Sequence, residues 1–348
     1  MPDGDLSLHN VTRPEARFPI ECLPKPLLCI PLVAQWFWLA IRHRSLTLPS
    51  AINPAIPTGG LAGESKSAVL AQIAPAHATH VAPWHLVRPN DDPHAIRAAA
   101  NLAYPLIAKP DIGWCGYGVQ RIDNEEALNA YAAAFPPTAS YILQHRVTAP
   151  NEAGLFYVRE PGAPTGRLHG LTLRHTPTVI GDGTSTTAQL AAKNSRTASH
   201  TPANPDRIPN YGEPVPLTTI ASLRAGARYE DAARHITPAL DARIDAIARS
   251  MPHFHLGRFD VRFPTLSALR RGDFQIIEVN GAGSEAIHFW DPALPLLTAF
   301  AGVFAKQRLL FHLGAQMRAR GTPPISPLAL AQAWLHQQRL IAAYPPSN

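Results

Sequence analysis

The chain has 348 residues, 46% of them hydrophobic and 16% charged, and no apolar run approaches the roughly 20 residues that a membrane span needs. Leu, Ile, Val and Phe recur throughout and glycine has no fixed period, which excludes collagen-like and wholly disordered chains and leaves a globular chain of about two domains. Lys and Arg total 31 against 25 Asp and Glu, a net charge of +6; with no basic run, zinc-finger spacing or aromatic RNA-binding motif, that excess suits anionic small molecules and not nucleic acid.

Proline accounts for 36 residues, roughly twice the usual share, so short elements and stiff connections are expected. Cys22, Cys29 and Cys115 are too few for a disulfide framework, which suits a reducing cytoplasm. Met1 to Asn10 is polar and acidic, so no secretory leader is expected.

In chain order, Leu27 to Ile41 is the strongest apolar stretch, followed by Arg42, His43 and Arg44. It reads as a buried or interface helix, or as a peripheral membrane anchor with Trp36, Phe37 and Trp38 as the wedge. The loop from Thr58 to Ser67 is glycine-rich but is not a P-loop, because Ser65 stands where that motif needs glycine before Lys66-Ser67. It is expected to feed a helix over about 64–73. A helix-like run from His94 leads to a strand ending at Lys109. A glycine flap with Gly113, Gly116 and Gly118 follows, then a short strand, and then a helix opened by Asp123 with Glu126 at capping-box spacing. Tyr141 to Val147 is a further strand. Gly154 to Glu160 and Arg167 to Arg174 read as a hairpin, Thr178 to Gly183 as a loop, Thr186 to Lys193 as a short helix, and 196–225 as a polar, Pro-rich excursion. Ala239 to Ser250 is helical, with Leu240, Ile244 and Ile247 on one face.

Two strands carry the chemistry. In Leu256 to Phe263, a period of two places Arg258, Asp260 and Arg262 on one face and Phe259, Val261 and Phe263 on the other. In Phe274 to Asn280 the same alternation sets Glu278 and Asn280 together before the turn Gly281-Ala282-Gly283-Ser284. If the strands are antiparallel neighbours, Asp260, Glu278 and Asn280 converge as hard oxygen ligands suited to Mg²⁺. The other reading is a pair of buried carboxylates neutralised by Arg258 and Arg262. Glu285 and His288, just beyond, are candidates for contact with an acceptor substrate. His253 and His255 share a face but have no third ligand at zinc spacing and read as structural, and Cys115 has no activating neighbour and reads as a chance thiol.

The lysine-ended strand Ile107-Ala108-Lys109-Pro110, the flap Gly116-Tyr117-Gly118, the strand Ile142-Leu143-Gln144, Arg258-x-Asp260 and Glu278-Val279-Asn280 together resemble the ATP-grasp superfamily over roughly residues 95–290, in its carboxylate–amine ligase branch. The segment Thr178 to Thr186 with Asn194-Ser195-Arg196 resembles the Gly-Asp-Gly segment of cyanophycin synthetases. The resemblance implies an α+β fold with two subdomains clasping ATP and a short N-terminal α/β-like unit. The division it implies is 1–85 (N-terminal unit), 86–147 (lid), 148–320 (catalytic) and 321–348 (C-terminal helix and tail).

It also implies an ADP-forming C–N ligase using ATP and Mg²⁺ or Mn²⁺ through an acyl phosphate, with small-molecule carboxylate and amine substrates and a possible homodimer. Lys109 would meet the phosphates, Gly113, Gly116 and Gly118 would close over them, and Gln144 and the backbone near Val147 would hold adenine. Glu152 would take the ribose hydroxyls, and Asp260, Glu278 and Asn280 would carry the metal. Arg258 would steady the anionic intermediate. Relatives often have Glu where Gln144 stands, and Arg174 is the candidate for the second phosphate cation by position. Glu64, Lys66 and Arg262 are candidates for the substrate pocket. The alternatives are a kinase-like phosphotransferase and a non-catalytic nucleotide-binding or membrane-docking module.

Overall fold

The computed structural model describes residues 19–193, 196–198, 202, 204–218 and 220–347, so Asn194 and Ser195 of the Gly-Asp-Gly comparison lie outside the described residues. In chain order the first elements are α1 (Lys25–His43), α2 (Lys66–Leu70), β1 (Trp84–Val87), α3 (Pro93–Ala99), β2 (Leu106–Pro110), β3 (Gln120–Ile122), α4 (Glu125–Ala134) and β4 (Tyr141–His145). There follow β5 (Asn151–Val158), β6 (Arg167–His175), β7 (Thr178–Ile180), α5 (Thr187–Ala192), β8 (Pro214–Pro216) and β9 (Arg228–Asp231). Last come α6 (Pro238–Ser250), β10 (Leu256–Phe263), α7 (Leu266–Arg271), β11 (Gln275–Asn280), α8 (Leu296–Ala319) and α9 (Pro327–Ala343). This is the α+β class expected.

The chain divides into two compact units. Unit 1 is Met1–Val81, Val147–Leu173 and Tyr229–His336; unit 2 is Ala82–Arg146, Arg174–Arg228 and Gln337–Asn348. Residues 19–81 share a unit with β5, β10 and β11, and the glycine loop hydrogen-bonds the turn after β11: Ala282 N donates to Gly59 O at 3.0 Å and Gly283 N to Gly60 O at 2.9 Å.

Unit 1 is built on a five-stranded sheet in the order β11-β10-β5-β6-β9. One face is core: Phe259, Val261 and Phe263 are fully buried, and the Tyr157 hydroxyl donates to Asp245 of α6 at 2.7 Å. Leu240, Ile244 and Ile247 of α6 are likewise buried. The alternation in β11 does not run unbroken. Asp260 pairs with Glu278 but Val261 pairs with Ile276, so Ile277 is the extra residue of a β-bulge. Without it, Ile276 would share a face with Glu278; with it, Ile276 and Val279 are both buried while Glu278 and Asn280 stay on the polar face.

Unit 2 holds a four-stranded antiparallel sheet in the order β1-β4-β2-β3, with Leu106, Ala108, Ile122, Leu128 and Leu143 completely buried. Two local expectations change here. The helix after the flap is capped by Asn124, whose side chain accepts from Ala127 N at 2.9 Å, because Asp123 is engaged by Arg121 at 2.6 Å. Thr178–Ile180 is a strand and not a loop, since it finds an antiparallel partner in Pro214–Pro216, inside the segment read as irregular. The short helix α5 carries a complete capping box, Thr186 with Gln189.

Candidate functional site

In unit 1, β10 lies antiparallel between β5 and β11, with Asp260 opposite Glu278 on one side and Gly154 on the other, and Arg258 opposite Asn280. The pleat therefore places Glu152, Gly154, Arg258, Asp260, Arg262, Glu278 and Asn280 on one face. Asp260 is 1% exposed and accepts both Nε and Nη2 of Arg258, at 2.6 and 3.0 Å. Asn280 Nδ2 donates to Asp260 Oδ2 at 3.4 Å. Gly154 leaves the room this needs, since a Cβ there would stand 3.0 Å from Arg258 Cδ and 2.8 Å from Ile287 Cδ1.

The glycine loop supplies what the strand pattern could not show. Lys66 Nζ lies 3.3 Å from Glu278 Oε1, and Glu64 Oε2 accepts from Gly281 N at 2.8 Å. Burial, only partly offset by that hydrogen bond, pushes the Glu64 carboxyl up to about 7. Asn53 anchors the arrangement: its amide donates to Leu256 O at 2.8 Å and to Gly59 O at 3.3 Å, while its oxygen accepts from His255 N at 2.8 Å. The signal for Asn53 was a lone polar residue in an apolar run, which carries no address for its partners. Arg262, offered as a substrate contact, instead meets Glu152 at 3.3 Å and Ala149 O at 3.3 Å. Of the carboxylates read as metal candidates, Asp260 is paired with Arg258 and Glu278 has Lys66 as a cation partner. Arg258 also donates to Glu285 O at 3.2 Å, and the Glu285 carboxylate is 3.7 Å from the buried Lys306. His288 is 5% exposed, and burial lowers its ring to about 4.

The candidate donors on this face are the carboxylates of Asp260 and Glu278 and the Asn280 amide, hard oxygens from adjacent strands of the kind a Mg²⁺ ion takes, while the third carboxylate, Glu152, is met by Arg262. Among the described residues no three His, Cys, Asp or Glu side chains gather at metal distance; the third candidate donor is the amide of Asn280, which would have to turn to present its oxygen. With that rotation, and with Asp260 released by Arg258 and Glu278 by Lys66, the donor chemistry fits the ion.

In unit 2, Lys109 is 6% exposed on β2, opposite Ile142 of β4. Gln144, 2% exposed, sits opposite Trp84 of β1 and donates to Ala82 O at 3.4 Å. The flap has Gly116 and Gly118 at φ +76° and +71°, values that favour glycine. Cys115 is exposed, and its carbonyl accepts from Arg224 at 3.0 Å. Arg174 directs Nε and Nη2 to Ala221 O, a structural bond that occupies the guanidinium. Val147, in unit 1, is buried. His255, also in unit 1, contacts Arg159 O at 3.2 Å through Nδ1, in keeping with its structural reading.

No family model and no curated protein matches the sequence. Among solved structures, a D-alanine–D-alanine ligase from Bacillus anthracis is similar at TM-score 0.43 and 12% identity, over 74% of this chain and 68% of that one. A bifunctional glutathione synthetase from Pasteurella multocida aligns at TM-score 0.37 and 17% identity, over 71% of this chain and 36% of that one. A D-cycloserine synthetase aligns at TM-score 0.40 and 17% identity, over 73% and 70%. No residue role rests on these likenesses. Fold and site together define an α+β protein whose unit-1 sheet presents a carboxylate-rich face with its own arginine and lysine.

Proposed function

We propose that this chain is an ATP-grasp carboxylate–amine ligase, using ATP and Mg²⁺ and passing through an acyl phosphate. The observation that carries this reading is the pairing of Asp260 with Glu278 and of Arg258 with Asn280 across adjacent strands. Asp260 is nearly inaccessible and both of its oxygens are answered by Arg258, so a metal ion would have to displace that guanidinium to reach them.

A Mg²⁺ ion held by Asp260, Glu278 and Asn280 would neutralise phosphate charge as ADP leaves. The substrate carboxylate attacks the γ-phosphorus, forming an acyl phosphate and releasing ADP; an amine then attacks the acyl carbon, an amide forms, and phosphate and a proton depart. Arg258 would first have to loosen its bonds to Asp260 and Glu285 O before offering its guanidinium to the oxyanion of the second step. In unit 2, Lys109 contributes a phosphate cation, Gly113, Gly116 and Gly118 contribute amides, and Gln144 contributes a purine contact. In unit 1 the backbone at Val147 contributes to the purine and Glu152 to the ribose. Arg174 would first have to leave Ala221 O to serve as a second phosphate cation. Lys66 and Glu64 would contribute to the substrate pocket once freed from Glu278 and Gly281 N.

The test is ADP and phosphate release by the full chain with ATP, Mg²⁺ and amino-acid pools. Asp260→Ala and Glu278→Ala are expected to lower turnover at least ~1,000-fold while the circular dichroism spectrum is kept. Unchanged turnover in both variants, or no ATP binding by the wild type, would sink the reading.

A further inference from the structure

Between its basic ends, Lys25 and Arg42-His43, helix α1 carries a single polar side chain, Gln35, and helices apolar on both faces occur where both are covered. Here one face is covered by protein. Leu39 and Ala40 are buried, Gln35 donates to Phe304 O at 2.9 Å, and Trp36 stacks edge-on against Phe311 at 5.0 Å while its Nε1 donates to Leu46 O at 3.1 Å. Trp36 is therefore a packing residue and not part of a wedge, which corrects the grouping drawn from the sequence. The opposite face is exposed: Leu27 61%, Ile30 65%, Val33 51%, Phe37 54%, Trp38 54% and Ile41 78%. Single exposed leucines are ordinary, but six large apolar side chains on one helix face are a contiguous patch of the kind that marks a docking surface.

Charge decides the occupant. From Lys25 to Arg44 there is no Asp or Glu, while Lys25, Arg42 and Arg44 are exposed at the two ends of the patch, Arg42 lying 5.6 Å above the Trp38 ring. A second copy of the chain would meet like charge in either direction: antiparallel helices set Lys25 beside Arg42 and Arg44, and parallel helices set each cation beside its twin. The patch is also small for a self-interface, which takes roughly 20–30 residues a side. An anionic lipid surface answers both features, taking the apolar side chains below the headgroups and pairing the cations with phosphate. No helix among the described residues is long and apolar enough to cross a membrane, so the contact is peripheral.

We propose that α1 docks the protein on anionic membranes, with Phe37, Trp38 and Ile41 inserted and Arg42 and Arg44 at the headgroups. The experiment is co-sedimentation of the full chain with phosphatidylcholine vesicles, with and without one quarter phosphatidylglycerol. Binding is expected only with phosphatidylglycerol, reduced about fivefold for each arginine replaced by glutamine. Phe37→Ser with Ile41→Ser is expected to lower it at least ~10-fold without moving the melting temperature, since both side chains are already in water. Three outcomes overturn the proposal: no binding to either vesicle, binding that ignores lipid charge, or a stable dimer in light scattering that Phe37→Glu turns into a monomer. Because neither ATP nor turnover enters the measurement, its failure is distinct from failure of the ligase reading.

Discussion

Two glycine-bearing loops do opposite things. In unit 1, Gly59 and Gly60 are buried, and a Cβ at Gly59 would stand 2.5 Å from Ser50 O, one at Gly60 2.6 Å from Gly281 Cα. Their carbonyls accept from Ala282 and Gly283, so glycine is required there for close approach of two backbones. In unit 2, the flap around Gly116 exposes Trp114 and Tyr117 and is held by side chains: Gln337 to Gly113 O at 3.3 Å, Ser347 to Gly116 O at 2.8 Å and Arg224 to Cys115 O. A loop fixed backbone to backbone is part of a preformed site. A loop held by a few side-chain bonds can be released for the cost of those bonds, about 1 kcal/mol each.

The contrast can be broken most severely at Gly60. Gly60→Ala at φ +84° pushes a methyl against backbone that cannot yield, and a loss of about 3 kcal/mol is expected in urea denaturation, with turnover falling in step. An acid titration probes the same region through Asn53 and His255. Burial lowers His255 to about 4 against 6.5 when unfolded, so the unfolded chain binds the extra proton first. The His255 contribution to stability should therefore fall as pH drops from about 6.5 toward 4, by about 2 kcal/mol at pH 5, alongside a contribution of the same sign from His288 and one of opposite sign from Glu64. His255→Gln should flatten this part of the stability-versus-pH curve; an unchanged curve would exclude His255 as its source. Smaller still is Gly116→Ala, where the clash at 2.7 Å is with a movable Ile220 methyl but φ is +76°. About 1 kcal/mol of stability is expected to go, with KM for ATP raised several-fold and kcat nearly kept. The smallest effect belongs to Ser347→Ala: an unchanged melting temperature and about threefold faster protease cleavage in 113–118, which would fail to appear if the tether carried no restraint.

The strand pattern was legible where chemistry and period coincide. Arg258, Asp260 and Arg262 alternate with three residues too apolar for solvent, and Glu278-Val279-Asn280 repeats the pattern, so the polar face could be read in advance. The bulge at Ile277 could not, because two adjacent isoleucines do not say which of them leaves the ladder. Asp123 and Asn124 are both good caps, and Arg121 decided between them.

By itself, then, the sequence determined periodicity and composition: an α+β chain, two charged strands, a glycine loop that is no P-loop, and an apolar helix ending in arginines. Those are local properties, encoded by neighbours within a few residues. Tertiary structure alone decided that Lys66 answers Glu278, that Asn53 joins the glycine loop to β10, that the glycine loop belongs with the charged strands, and which face of α1 stays in water. Each of these depends on contacts between segments far apart in the chain, and side-chain periodicity carries no information about which distant segment will supply the partner.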